Sequence, residues 1–184
     1  MVRPGVSAVT GLVPPTAPAG PVAGSRDYYR KLAAGVAVVT ACGPSGWSGS
    51  TVSTVTSVSL EPPVLLCCLA RGSRTLEAVR HARRFAVHLL AAGQADLAER
   101  FSRPPGDRTR FAGLGREVLL VGGSPVISGV LAVAWCDLSS AAEVGDHVVL
   151  YGRVVSSRVG RGEPLVWHAR AYRELGGLSA ADAG

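Results

Sequence analysis

Gly49-Ser50-Thr51-Val52-Ser53-Thr54-Val55-Thr56-Ser57-Val58-Ser59, ended by Leu60-Glu61-Pro62-Pro63, is the stretch on which the fold turns. Valines at 52, 55 and 58 stand among small polar residues, which is strand composition rather than helix composition. Seven of the eleven residues carry a hydroxyl. On a strand, one face becomes a ladder of small donors and acceptors, and small side chains let a planar ligand approach the main chain. The plainer alternative is an exposed Thr/Ser-rich edge strand.

Strands are expected on both sides of this stretch. Residues 36–42 form a β-branched run, and Gly43-Pro44-Ser45-Gly46 reads as a turn. Residues 64–69, 85–90, 118–121, 130–138, 147–155 and 165–172 read as further strands. Helices are expected at 25–33, with Ser25 as N-cap, at 73–82, and at 94–101. A basic, proline-bearing loop follows at 103–110. Many short strands, few helices and frequent glycine turns argue for a mainly β protein, a closed antiparallel barrel. Strands and helices do not alternate regularly, and neither G-x-G-x-x-G nor a Walker loop occurs.

The 184 residues are 47% hydrophobic and 17% charged, enough for one globular domain. Residues 1–24 hold five of the twelve prolines and one charge, Arg3, and are expected to be a disordered tail. Residues 25–175 are then the domain, and 176–184 a flexible C-terminal tail. No apolar run is long enough to span a bilayer, so no membrane association is expected. Cys42, Cys67, Cys68 and Cys136 form no C-x-x-C pair, which predicts reduced thiols in a cytoplasmic protein and no metal. The net charge is +6, and 18 of the 19 cations are arginines. That composition suits either nucleic acid or a phosphorylated small molecule. Aromatic residues are only 5% and scattered, which leaves nucleic acid without a stacking platform.

Two further segments carry chemistry. Ala70-Arg71-Gly72-Ser73-Arg74-Thr75 lies between a strand and a helix. Ser73 caps the helix, whose N-terminal amides favour an anion, and Arg71 and Arg74 add charged donors. A cap beside solvated arginines is the plainer reading. Gly145-Asp146-His147 puts a histidine at the start of a strand, either against a ligand or in an ordinary turn. No Ser/His/Asp order and no paired carboxylates stand out, so acid/base hydrolysis has little support.

Taken in register, these pieces resemble the flavin reductase-like family, the short-chain NAD(P)H:flavin oxidoreductases of two-component monooxygenases. The resemblance runs from Tyr28 to Leu175. It begins with Gly35-Val36-Ala37-Val38-Val39-Thr40 and Gly49-Ser50-Thr51-Val52-Ser53, and its most specific piece is Ser57-Val58-Ser59-Leu60-Glu61-Pro62-Pro63. Ser73-Arg74-Thr75-Leu76, Phe85-Ala86-Val87-His88-Leu89-Leu90, Arg110-Phe111-Ala112-Gly113, Ser124-Pro125-Val126-Ile127 and Gly145-Asp146-His147 follow. Departures include Val52 where relatives often have Ala, and Val55 where they often have Phe.

The resemblance implies an FMN-binding split β-barrel, working as a homodimer. FMN or FAD is implied as cofactor, with NADH or NADPH as hydride donor. Gly49, Ser50, Thr51, Val52, Ser53 and Thr54 would line the isoalloxazine, and Cys68, Leu69 and Ala70 the ribityl chain. Ser73, Arg74, Thr75 and Arg100 would serve the phosphate. His147, Trp167, His168 and Arg170 would lie near the nicotinamide nucleotide. No side chain is implied as catalytic, because the hydride passes between cofactors. Reduced flavin would go to a separate oxygenase component. A flavin carrier or scaffold of the same fold, without turnover, is the alternative.

Overall fold

The computed structural model describes residues 24–103, 108–112, 114, 118–121 and 123–175. The expected tails, 1–24 and 176–184, lie outside the described residues apart from Gly24, as does part of the basic loop at 103–110.

In chain order the elements are α1 (Ser25–Arg30), β1 (Ala34–Gly35), β2 (Ala37–Gly43), β3 (Gly46–Val52), β4 (Thr56–Leu60), β5 (Pro63–Ala70), α2 (Arg74–Ala82), β6 (Arg84–Leu89) and α3 (Ala95–Ser102). A 3-10 turn (Arg108–Phe111) leads to β7 (Val118–Val121), β8 (Ser124–Ile127), β9 (Ala132–Val144), β10 (His147–Val159), β11 (Leu165–His168) and β12 (Ala171–Glu174).

Seven strands form one antiparallel sheet in the order β3-β2-β6-β9-β10-β5-β4. β3 and β4 are its two edges, although only residues 53–55 separate them in the chain. The barrel is therefore split and not closed, which corrects the closed barrel expected from strand count alone. The single stretch read from 49 to 60 is two strands on opposite edges. Its small residues leave nothing bulky at the break, and the Thr54 hydroxyl there accepts the Cys68 amide at 3.0 Å.

β2 explains how the layers stack. Ala37, Val39 and Ala41 point into one apolar cluster with Leu76, Val79, Phe85 and Leu150. Val36 and Val38 point into a second, with Leu90, Phe101, Ile127 and Leu165. A strand buried on both faces reads as a continuous apolar run, as residues 36–42 do. α2 covers the first cluster with Leu76, Ala78 and Val79, and α3 reaches the second with Ala98 and Phe101.

Three local expectations change. α1 is capped by Gly24 in the left-handed region, φ 79°, so Ser25 is its first residue and not its cap. Residues 165–172 are a hairpin rather than one strand. Ala169 and Arg170, at φ 50° and 65°, turn β11 into β12, and β11 lies between β1 and β12 in a three-stranded sheet. The β8 strand at Ser124–Ile127 was not expected. It is fastened by His88, whose Nδ1 donates to Val38 O at 2.9 Å while its Nε2 accepts the Ile127 amide at 3.2 Å.

Candidate functional site

A cleft of about 760 Å³ opens along the free edge of β3. The geometry of that edge follows from its turn. The two-residue turn Pro44-Ser45 makes Gly43 and Gly46 a hydrogen-bonded pair. Antiparallel alternation then sends the main-chain groups of Trp47, Gly49 and Thr51 away from β2. Arg110 uses one of them: its Nη1 donates to Gly49 O at 2.6 Å. The edge thus offers main-chain donors and acceptors to whatever lies in the cleft.

One wall is the N-terminus of α2. Ser73 caps it, accepting from the Thr75 amide at 3.2 Å. The Thr75 hydroxyl lies 2.8 Å from Ser50 Oγ and 3.0 Å from Ser48 Oγ, and Ser50 Oγ is 3.4 Å from Ser73 Oγ. The hydroxyls of β3 therefore first dock the strand onto the helix, and the positive end of the helix faces the cleft beside them. On the other face of β3, the Thr51 hydroxyl donates to Ala98 O of α3 at 2.6 Å. Small side chains are needed on this face, since a Cβ at Gly49 would lie 2.7 Å from the Phe101 ring.

The opposite wall is aromatic and cationic. Phe101 meets Phe111 edge-on with centroids 5.0 Å apart, and Trp47 meets Phe111 edge-on at 5.7 Å. Arg103 and Arg110 lie beside them, with Arg110 also bonded to the Arg103 carbonyl. His147 closes the far side, its Nδ1 2.8 Å from Asp146 Oδ1. That hydrogen bond holds the Asp146 carboxyl below its ordinary range. The described lining includes Arg74, Arg103, Arg110 and His147, and no carboxylate. The cleft therefore has a positive field suited to a phosphorylated ligand. Among the described residues, no group of three or more His, Cys, Asp or Glu side chains gathers to hold a metal.

The lining brings together Gly49, Ser50, Thr51, Val52, Ser53, Thr54, Cys68, Leu69, Ala70, Ser73, Arg74, Thr75 and His147. Arg100, Trp167, His168 and Arg170 are not among the lining residues. Trp167 instead packs edge-on against Tyr172, 4.9 Å between centroids, at the border of the second core cluster. Arg170 sits in the tight turn between β11 and β12.

Sequence reasoning missed Trp47, Ser48, Phe101, Arg103, Arg110 and Phe111 as site residues. Trp47 and Ser48 continue the same strand back to its turn, and that continuity was the available signal. Phe101, Arg103, Arg110 and Phe111 approach only because α3 packs across β3, which no local pattern announces.

Residues 29–176 match the flavin reductase like domain family. A flavin reductase (NADH) of Kitasatospora aureofaciens is 40% identical over 145 residues, covering 77% of this chain and 75% of its own. A Rhizobium meliloti protein carrying the flavin reductase name is 43% identical over 136 residues, 71% of this chain, and the chain spans only 42% of that protein's length. Among solved structures, an NADH:FAD oxidoreductase of Streptomyces globisporus superposes with a TM-score of 0.77 at 28% identity, covering 89% of this chain and 100% of that one.

Proposed function

The chain belongs to the flavin reductase-like family, and on that premise we propose that it is an NAD(P)H:flavin oxidoreductase that reduces FMN or FAD and releases the product to a separate oxygenase. The observation that carries this reading is the cleft itself: a free strand edge, a capped helix N-terminus and, among the described residues, a lining with cations and no carboxylate, side by side.

These residues fit a flavin by the chemistry of their donors. Ser73, Arg74 and the first amides of α2 would hold its phosphate by charge-assisted hydrogen bonds. The outward main-chain groups of β3 would meet the polar edge of the ring, with Val52 and Leu69 against its apolar part. When bound, the flavin accepts hydride at N5 from C4 of the reduced nicotinamide, and the protein supplies position and electrostatics. His147 would face the nicotinamide nucleotide. Main-chain N–H groups near Ser53 and Thr54 would favour negative charge developing on the ring.

The working unit is the domain at 25–175, supported by the family match over 29–176. It acts as a homodimer, and Arg100, Trp167, His168 and Arg170 serve phosphate and nicotinamide from outside the cleft of their own chain. A cytoplasmic site of action is supported by four free cysteines. The oxygenase partner is supported by a similar solved protein, the flavin reductase component of a bacterial two-component tryptophan halogenase.

The test is direct. The purified protein is mixed with each flavin and with NADH or NADPH, and nicotinamide absorbance is followed. Flavin-dependent oxidation is expected with at least one pair. Flavin binding without oxidation, for every pair, would leave a carrier and remove the enzyme.

A further inference from the structure

The order of groups along β3 points past the phosphate seat. Thr51 to Thr54 stand at one end of the cleft, on the side of Cys68 and His147. Ser50 and Ser48 follow, both hydrogen-bonded to Thr75 at the N-terminus of α2. Trp47 comes next, about 3.4 Å of rise beyond Ser48, with its side chain on the other face of this edge strand, the one shared by Gly49 and Thr51. A mononucleotide flavin ends at its phosphate. The cleft does not end there: it continues to Ser45, Trp47, Arg103 and Phe111.

Trp47 is an unusual side chain to leave in such a place. It is 43% exposed, the one large aromatic of the cleft that is so open. It is also held. Phe111 meets it edge-on at 71°, and Phe111 rests in turn on Phe101, which is 1% exposed. An indole fixed on one side and open on the other is a pre-organised platform for a planar base, because little side-chain entropy remains to be lost.

We propose that Trp47 is a stacking platform for the adenine of a flavin dinucleotide, so that this reductase selects FAD over FMN. The inference rests on the flavin reductase reading. It concerns only the half of the cleft beyond the phosphate seat. The adenosine group recognised there belongs to two molecules present in the reaction, the flavin dinucleotide and the reduced nicotinamide, and the proposal assigns it to the flavin.

The test is equilibrium binding of FAD, FMN and riboflavin to the purified protein, read by flavin fluorescence without nicotinamide. Wild type is compared with Trp47→Ala and Trp47→Phe. FAD is expected to bind about tenfold more tightly than FMN, as one base stacked on an aromatic ring contributes. Trp47→Ala should abolish that preference and leave FMN and riboflavin within about twofold of wild type. Trp47→Phe should keep most of it. Equal wild-type affinity for FAD and FMN overturns the proposal, and so does an equal loss for both in Trp47→Ala. A variant that changes only the KM for NADH, measured with FMN as acceptor, also overturns it by assigning the platform to the nicotinamide dinucleotide. FMN turnover in the same preparation separates this failure from failure of the reductase reading, which would show as no turnover with any flavin.

Discussion

Gly49 faces the ring of Phe101 so closely that a Cβ at position 49 would lie 2.7 Å from both Cδ1 and Cε1. The contact sets how near α3 comes to the edge strand, and with it the width of the cleft. Gly49→Ala must displace a ring that is buried among the second cluster and in contact with Phe111. A loss of about 1–3 kcal/mol in stability is expected, together with weakened flavin binding. Urea denaturation and a flavin titration check both. Wild-type values in each would mean that the helix yields without cost.

Arg74 is the first residue of α2, next to the capping Ser73, and lines the cleft. Arg74→Ala should raise the FMN dissociation constant about 10- to 100-fold, the loss of one charge-assisted bond to a phosphate. Riboflavin, which lacks the phosphate, should bind within about twofold of wild type. A matching loss for riboflavin would remove Arg74 from the phosphate seat.

His147 lies across the cleft from the aromatic wall, anchored through Asp146. His147→Ala should raise the KM for reduced nicotinamide about tenfold and the KM for flavin much less. Steady-state kinetics with each substrate varied in turn makes the comparison. Equal effects on the two constants would place His147 on the flavin instead.

His88 titrates far from the site. Burial pushes its pKa down to about 4, against an ordinary 6.5, and its two ring nitrogens are engaged as one donor and one acceptor. Its folded pKa is depressed, so between these values the unfolded chain binds a proton that the folded chain does not. The neutral form's advantage is complete above pH 6.5 and is lost as pH falls toward 4. The loss is on the order of 3 kcal/mol, from one proton over that window. Urea midpoints measured down the pH scale should fall more steeply in wild type than in His88→Gln. Parallel slopes would show that the imidazole is not the group responsible.

The parts legible in the sequence share a cause. Residues 36–41 are buried on both faces, and their apolar run said so. Ser73 caps α2 because a serine before a helical stretch has a hydroxyl within reach of the next turn's amide. Gly145-Asp146-His147 turns one long strand into the next, because glycine takes the positive φ, here 57°, that such a turn needs. The hydroxyl-rich stretch announced the floor of a cleft, and the spacing of these pieces announced the family.

The sequence by itself determined most of the strands and the cap of α2, since each depends on neighbours a few positions away, and the resemblance of its spaced pieces pointed to a flavin. Only the tertiary structure decided that residues 49–60 divide between opposite edges of an open sheet. It alone brought Phe101, Arg103, Arg110 and Phe111 around Trp47, across separations of more than fifty positions. It also kept Trp167, His168 and Arg170 out of the cleft of their own chain. These choices depend on how α3 packs over β3 and how β11 pairs with β1. Packing of that kind is settled by the shapes of surfaces distant in the chain, and no local periodicity records it.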